Sequence, residues 1–304
     1  MTSTTDLFPG FAEHTISTDD GLDIFCRVGG AGPPVALIHG FPQTHAMWHR
    51  VAPALAERFT VVAVDLRGYG RSSAPPDDEE HTVYSKRSMG TDVGAVMTHL
   101  GHERYRVVGH DRGARVAYRL AFDHPEVVER VAVLDILPTA EYWDMLSPRF
   151  GIAIYHWMFL AQPAPFPERL IGGESRYFCD HSLASWTKDD GLGAFDPIAL
   201  DDYRAMFDDP ARIAAMCADY RAGATTDLAL DRDDRARGRL IRPPLLDLYG
   251  QRGIDPTPDH TDVWRRWASD VTAGPVPSGH FVAEENPEAT TKVLAEFLGA
   301  AAPR

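Results

Sequence analysis

The feature that most constrains the fold is a series of short apolar runs, rich in Val, Leu and Ile, that alternate with segments of helical periodicity. Most of these runs lack the polar alternation of a half-exposed strand, which is typical of strands covered on both faces. Strands that alternate with helices predict βαβ units and a mostly parallel sheet. The runs span residues 35–40, 61–65, 106–110, 131–135 and 245–250.

The segments between these runs predict the helices and the remaining strands. Apolar residues recur at helical spacing over 89–100 and again over 116–121, so we expect crossover helices there. Residues 14–17 and 22–28 flank a turn-rich tetrapeptide, which predicts an N-terminal hairpin. Two prolines, Pro275 and Pro277, place a weak final strand at an edge of the sheet.

A long block without any strand-like run separates the fourth and fifth apolar runs. Aromatic residues, Met and Pro accumulate there, which predicts a helical insertion over the carboxyl ends of the strands, where open α/β sheets bind ligands. We therefore predict an α/β fold with a core of residues 1–137 and 240–304 and an inserted helical cap of residues 138–239. The charge-rich segment 231–242 is interpreted as the return linker.

The charge balance limits the partners. With 44 acidic and 30 basic side chains in 304 residues, the formal net charge is −14, which excludes binding to nucleic acid or to an anionic membrane surface. A site for a small anion must therefore hold its own positive charge. The sequence has no basic, apolar leader, no apolar run of about 18 residues and no cysteines at metal-ligand spacing, so we expect a cytoplasmic protein without a metal.

The segment GHDRG, residues 109–113, follows a predicted strand and opens a predicted helix. This is the context in which α/β-hydrolases present a nucleophile on a sharp turn. Its central residue is Asp111, and the chain contains no Gly-x-Ser-x-Gly segment, which excludes a serine esterase or lipase. A carboxylate suits attack on a saturated carbon, because hydrolysis of the resulting alkyl ester restores it. The alternative is that Asp111 only caps the helix.

Other segments predict the partners of this nucleophile. The backbone N–H groups of Phe41, in the HGFP segment, and of Arg112 are candidates for an oxyanion hole. His280 follows the nucleophile in the chain order expected for a catalytic base. The orienting acid is either Asp135 or Asp255, and we favour Asp135 because it ends a predicted strand, which positions a side chain more rigidly than a loop.

Two arginines stand where a helix disfavours cations. Arg112 and Arg115 share a face at the N-terminus of the predicted helix, where the helix dipole favours anions. Guanidinium groups match a carboxylate in fork geometry, so the pair predicts a binding site for an anionic substrate. The alternative is a surface ion-pair cluster with Arg119 and Asp123.

Aromatic donors of the predicted cap complete the candidate site. His156, Trp157 and Tyr220 offer an imidazole, an indole N–H and a phenol that can solvate a departing halide. Fluoride needs several such preorganised donors in a site without bulk water, because it is strongly hydrated and leaves poorly. The alternative is that Trp157 and Tyr220 are core residues of a cap helix.

Taken together, these segments resemble the fluoroacetate dehalogenases over nearly the whole chain. The resemblance rests on GHDRGAR at 109–115, HGFP at 39–42, YHW at 155–157 and SGHF at 278–281. It implies an α/β-hydrolase core with a helical cap, a homodimer, no cofactor, and cleavage of a haloacetate, such as fluoroacetate or chloroacetate, into glycolate and halide.

The resemblance also implies a role for each candidate residue. Asp111 is the nucleophile, His280 the base and Asp135 its orienting acid. Arg112 and Arg115 bind the substrate carboxylate. The halide pocket is formed by His156, Trp157 and Tyr220, and the cap residue Trp186 narrows the pocket.

Two rival functions remain at this point. An epoxide hydrolase shares the aspartate nucleophile and the ester but needs cap tyrosines to protonate the opening oxygen, and Tyr155 and Tyr220 are candidates. The epoxide hydrolase reaction assigns no role to Arg112 and Arg115. A noncatalytic binding protein on the same scaffold does not need the complete set of Asp111, Asp135 and His280.

Overall fold

The computed structural model describes residues 6–253 and 259–300, and these residues form a mostly parallel sheet flanked by helices. The strands are β1 (Ala12–Ser17), β2 (Asp23–Gly29), β3 (Pro34–Ile38), β4 (Thr60–Val64), β5 (Tyr105–His110), β6 (Val128–Leu134), β7 (Leu245–Gly250) and β8 (Val271–Val276). Their order across the sheet is β1-β2-β4-β3-β5-β6-β7-β8.

The pairing of the strands agrees with the apolar runs of the sequence. β1 and β2 form the predicted antiparallel hairpin, and β2 is also antiparallel to β4. All pairs from β4 through β8 are parallel. The central strands are buried along almost their whole length, because side chains on both faces of a parallel sheet are covered by helices. As predicted, β8 lies at an edge.

The helices occupy the connections between the strands. They are α1 (Ala52–Ala56), α2 (Lys86–His99), α3 (Arg112–Asp123), α4 (Thr139–Asp144), α5 (Pro148–Ala153), α6 (Tyr155–Leu160), α7 (Phe166–Gly173), α8 (Ser175–Trp186), α9 (Pro197–Met206), α10 (Pro210–Ala224), α11 (Thr226–Ala236), α12 (His260–Arg265), α13 (Val282–Glu285) and α14 (Pro287–Gly299). The predicted crossover helices are therefore confirmed as α2 and α3. Helix α3 packs against β5 and β6, which fixes its N-terminus beside the carboxyl end of β5.

Helices α4 to α11 all lie between β6 and β7 in the chain, and the described residues of this interval contain no strand. Several helices contact each other within the block, such as α10 with α6 and α7. The block also contacts the core, because the backbone N–H of His280 donates to the carbonyl of Trp186 at the end of α8. That these helices form a separate cap domain stays a prediction.

The prediction that residues 231–242 are a linker is wrong for their first half. Helix α11 continues to Ala236, and Asp231 and Asp234 on it are buried. Both carboxylates pair with Arg119 of α3, at 2.9 and 2.6 Å. The charge-rich composition reflects a buried ion-pair network rather than a solvated connection, because paired charges can be buried.

In the described part of the chain, none of the helices combines the length and the apolar character that a membrane span requires. The fold class predicted from the sequence, a mostly parallel sheet with flanking helices, is confirmed.

Candidate active site

Asp111 occupies a strained turn between β5 and α3. Its φ of 47° and ψ of −115° lie in a region that residues other than glycine rarely adopt. The side chain makes no capping hydrogen bond to α3. Instead, its Oδ1 accepts the backbone N–H of Phe41 at 2.9 Å. The turn thus directs the carboxylate toward the loop after β3, which is where the sequence predicts one oxyanion-hole donor.

Glycines allow this turn to lie directly on the loop after β3. A Cβ atom on Gly113 would lie 2.2 Å from the carbonyl oxygen of His39, and one on Gly40 would lie 2.5 Å from Cβ of Asp111. Both distances are far below van der Waals contact. The close approach of the two backbones therefore requires glycine at both positions.

His280 and Asp135 complete a triad with Asp111. Asp135 directly follows β6, and its Oδ2 lies 2.5 Å from Nδ1 of His280. The other carboxylate oxygen accepts the backbone N–H of Gly250 at 2.8 Å. Nε2 of His280 lies 3.9 Å from Oδ2 of Asp111. The alternative acid, Asp255, lies outside the described residues.

The electrostatics of these residues favour an ionised Asp111 and raise the basicity of His280. Burial opposes the charged form of Asp111, but His280, His110, Arg112 and Arg115 outweigh it and lower the pKa of the carboxyl below its ordinary value. Burial also opposes a charged His280, yet its hydrogen bond and its attraction to Asp135 raise its pKa.

Arg112 and Arg115 are fully buried, so the alternative of a surface ion-pair cluster is wrong for both. Arg112 is held by Asp219 of α10, which accepts Nε at 3.1 Å and Nη2 at 2.6 Å. Nη1 of Arg112 is buried and has no hydrogen-bond partner among the described residues. Arg112 directly follows Asp111 in the chain, so this buried donor without a partner is a candidate contact for a substrate carboxylate.

Arg115 is fixed by groups at the start of the helical block. Its Nη1 donates to the carbonyl of Leu137 at 3.1 Å and to Oγ1 of Thr139 at 2.9 Å. Its Nε is buried without a partner in the described part of the chain. The guanidinium also lies over the ring of Trp157, with 4.6 Å from Cζ to the ring centroid. Each arginine thus keeps a buried nitrogen atom without a hydrogen-bond partner among the described residues.

The predicted halide-binding side chains form one aromatic cluster with Phe41. The ring of Tyr220 lies 5.3 Å from that of Phe41, and the ring of His156 lies 5.6 Å from that of Tyr220. Trp157 is 6.3 Å from Tyr220, and Trp186 is 4.4 Å from His156, both between ring centroids. The structure therefore brings together all four aromatic residues that the sequence placed at the pocket.

Two of these side chains are neutral donors with unused polar atoms. Burial, together with the positive charges of the nearby arginines, lowers the pKa of His156 to about 3. Burial and the negative charge of Asp111 raise the pKa of Tyr220 well above its ordinary value. Nδ1 of His156 and the hydroxyl of Tyr220 have no partner among the described residues. Tyr155, in contrast, is 36% exposed.

Sequence reasoning missed Asp219 and Lys86. Lys86, the first residue of α2, contacts the same Asp219 carboxylate that holds Arg112. The arginines at a helix N-terminus signalled that an anion was needed, but Asp219 is 107 positions from Arg112 in the chain. No local motif marks a partner at that distance.

The site combines a carboxylate on a nucleophile turn, a histidine–aspartate pair, unused guanidinium donors and neutral aromatic donors. Such groups can displace a leaving group from a saturated carbon and hydrolyse the ester that results. Fold and site together define an α/β-hydrolase with an aspartate in the nucleophile position. The chain belongs to the α/β-hydrolase family, because the family model described as "alpha/beta hydrolase fold" matches residues 33–287.

Individual relatives narrow this assignment. The chain is similar to the fluoroacetate dehalogenase of Burkholderia sp, with 42% identity over 293 residues that cover 96% of this chain and 95% of the relative. The soluble epoxide hydrolase of Corynebacterium sp. (strain C12) is 32% identical over 288 residues, which cover 94% and 96%. The solved structure of ALR0039 from Nostoc sp PCC 7120 is 46% identical, with a TM-score of 0.92 over 96% of this chain and 99% of that one. The predicted resemblance to fluoroacetate dehalogenases is confirmed.

Proposed function

We propose that this protein is a haloacetate dehalogenase, a hydrolase that converts fluoroacetate or chloroacetate and water into glycolate, halide and a proton. The observation that carries the proposal is the juxtaposition of Asp111 with two buried arginines that each keep an unused donor. These donors match a substrate carboxylate, and the neighbouring carboxylate nucleophile matches its α-carbon. The similarity to a fluoroacetate dehalogenase supports this assignment.

In the first step, Asp111 displaces the halide. Oδ1 is held by the N–H of Phe41, so Oδ2 forms the bond to the α-carbon while the carbon–halogen bond breaks. Arg112 and Arg115 hold the substrate carboxylate in line for attack. The halide leaves with the bonding electron pair toward the donors of His156, Trp157 and Tyr220, whose neutral side chains solvate the new anion.

In the second step, water hydrolyses the ester. His280, oriented by Asp135 at 2.5 Å, takes a proton from a water molecule that attacks Cγ of Asp111. The negative charge develops on Oδ1, which the N–H of Phe41 stabilises. The backbone N–H of Arg112, at the start of α3, is the proposed second donor. As the intermediate collapses, the bond from Cγ to the glycolate oxygen breaks and the charged His280 returns its proton to that oxygen, which originally belonged to Asp111. The remaining proton of the water is then released from the Asp111 carboxyl, which restores the carboxylate.

An epoxide hydrolase fits the same site less well. That reaction needs tyrosine hydroxyls at the opening oxygen, and of the two candidate tyrosines Tyr220 is 2% exposed whereas Tyr155 is 36% exposed. It also leaves the unused donors of Arg112 and Arg115 without a role. Release of halide from fluoroacetate and chloroacetate, assayed beside hydrolysis of a styrene-type epoxide, separates the two functions.

The covalent step has a direct test. In the His280→Asn variant, we expect the ester on Asp111 to accumulate and to appear as a mass increase on the intact chain. In heavy-oxygen water, the first turnover of the wild-type protein should give unlabelled glycolate and labelled Asp111. Labelled glycolate in the first turnover, without an adduct in the variant, contradicts the ester mechanism and indicates direct attack by water.

We also propose that the protein is a homodimer, and that its exposed apolar side chains just before α5 and on α5, α7 and α8 contribute to the interface. Several large hydrophobic residues are exposed in this stretch of the chain, and surface hydrophobic residues are typical of interfaces when they lie together. They are Leu146, Ile152, Phe166, Leu170 and Tyr177. Light scattering after size exclusion should give twice the chain mass, and a monomer at micromolar concentration contradicts this proposal.

A further inference from the structure

Asp219 is shared by two buried cations, and this sharing affects the charge of the proposed substrate site. Its Oδ1 contacts both Nη2 of Arg112 and Nζ of Lys86. Its Oδ2 accepts Nε of Arg112 at 3.1 Å and the hydroxyl of Tyr69 at 2.7 Å. The side chains of Asp219 and Arg112 are 0% exposed and that of Lys86 is 2% exposed, so water screens these charges little.

Lys86 also contacts a second carboxylate. Its backbone N–H donates to Oδ1 of Asp227 at 2.8 Å, and its Nζ lies 3.6 Å from Oδ2 of the same residue. Within this buried cluster, the charges of Lys86 and Arg112 thus balance those of Asp219 and Asp227. Removal of Lys86 alone leaves this cluster with a net negative charge, which repels an anionic substrate.

Building on the proposed function, we propose that Lys86 is a positioning residue that selects anionic substrates. By sharing Asp219, it prevents this carboxylate from neutralising Arg112, whose unused Nη1 remains positively polarised toward a substrate carboxylate. The consequence is a preference for α-halo acids over the corresponding neutral amides. Lys86 itself does not touch the substrate.

The size of the effect follows from Coulomb's law. One unit charge about 8 Å away, at an effective dielectric constant of about 20, changes the binding of an anion on the order of tenfold or more. A neutral ligand of the same shape is affected much less. The discriminating quantity is therefore the ratio of kcat/KM for chloroacetate to that for chloroacetamide, and this ratio does not depend on the fraction of folded protein.

The test replaces Lys86 by Met, whose side chain has similar length. For Lys86→Met, we expect the acid-to-amide ratio to fall on the order of tenfold, chiefly through a higher KM for chloroacetate. The double variant Lys86→Met/Asp219→Asn removes one charge of each sign, and we expect its ratio to return toward the wild-type value. The matched control is Arg67→Met, which removes a buried cation paired with Asp92 and should leave the ratio unchanged.

Two outcomes overturn the inference: an equal loss for acid and amide in Lys86→Met, or an equal fall of the ratio in Arg67→Met. Failure of the proposed function is separate, and calorimetric titration with glycolate identifies it. Wild-type protein that binds glycolate but releases no halide contradicts the dehalogenase. In that case, glycolate binding weakened on the order of tenfold in Lys86→Met still supports the role of Lys86, and unchanged binding overturns it.

Discussion

Asp111 and His280 share one buried site, yet their pKa values move in opposite directions, which separates the two half-reactions by pH. The pKa of Asp111 is lowered, so attack persists in mild acid. The pKa of His280 is raised above 6.5 despite burial, because Asp135 stabilises the charged ring. A charged His280 cannot accept a proton from water. Ester hydrolysis should therefore fall as the pH drops below this raised pKa.

Rapid-mixing measurements of halide release check this expectation. At pH 5 to 5.5, chosen roughly one unit below the ordinary histidine value, we expect a full burst of halide followed by turnover roughly tenfold slower per pH unit. At pH 8, where a larger fraction of His280 is neutral, we expect ester hydrolysis to be faster and the burst of halide to be smaller than at pH 5 to 5.5. A parallel loss of burst and turnover in acid contradicts the assignment of His280 to the second step alone.

The contact between Asp135 and His280 predicts the effect of removing the acid. Asp135→Asn keeps the shape but loses the charge that stabilises the histidine, so we expect kcat to fall by roughly 10³-fold or more, with accumulation of the ester. The matched control is Asp255→Asn, which should retain near wild-type turnover. The opposite pattern, with loss only in Asp255→Asn, assigns the orienting role to Asp255.

The residues of the proposed triad, which the structure brings together, could be named from the sequence because each lies at a recognisable position. Asp111 stands in a glycine-flanked strand–helix turn, and His280 follows in the expected chain order. The support of Arg112 was not predictable, because Asp219 of α10 reaches Arg112, and Lys86 of α2 reaches Asp219, only in the folded structure. A positively charged side chain at a helix N-terminus indicates that an anionic group lies nearby, but it does not identify which residue or ligand supplies that group.

Among the elements, the turn from β5 into α3 most directly positions the chemistry. A Cβ on Gly113 would meet the carbonyl oxygens of His39 at 2.2 Å and of Ile38 at 2.5 Å. Because both are backbone atoms, Gly113→Ala must shift β3 or α3. We expect a loss of about 1–3 kcal/mol in the free energy of unfolding, measured by urea denaturation, together with lower halide release.

The control for this substitution is Gly172→Ala in α7, where a Cβ meets nothing within 4 Å. That variant should be neutral or more stable by about 0.5–1 kcal/mol, because alanine restricts the unfolded chain. If Gly113→Ala is equally harmless, then α3 can move away from the loop after β3 without loss of stability, which contradicts the requirement for glycine at this position.

Helical and strand elements were predictable where apolar periodicity is strong, as in α2, α3 and the central strands. Helix α11 was not, because its sequence is dominated by charge. The helix is nonetheless packed, since Asp231 and Asp234 are buried against Arg119. Periodicity of apolar residues misses a helix whose buried face is made of paired charges, and only the tertiary partner distinguishes such a face from a solvated one.

For the molecule as a whole, the net charge of −14 opposes the approach of the proposed anionic substrate, while the buried Arg112 and Arg115 offer positive charge only within the candidate site. Salt screens the long-range repulsion first, since the Debye length falls from about 30 Å at 0.01 M to about 10 Å at 0.1 M. We expect kcat/KM for chloroacetate to rise by up to about twofold over this range in a halide-free salt. The neutral chloroacetamide should show no change. A decrease for chloroacetate alone means that local attraction at the entrance, rather than the overall charge, governs how the substrate reaches Asp111.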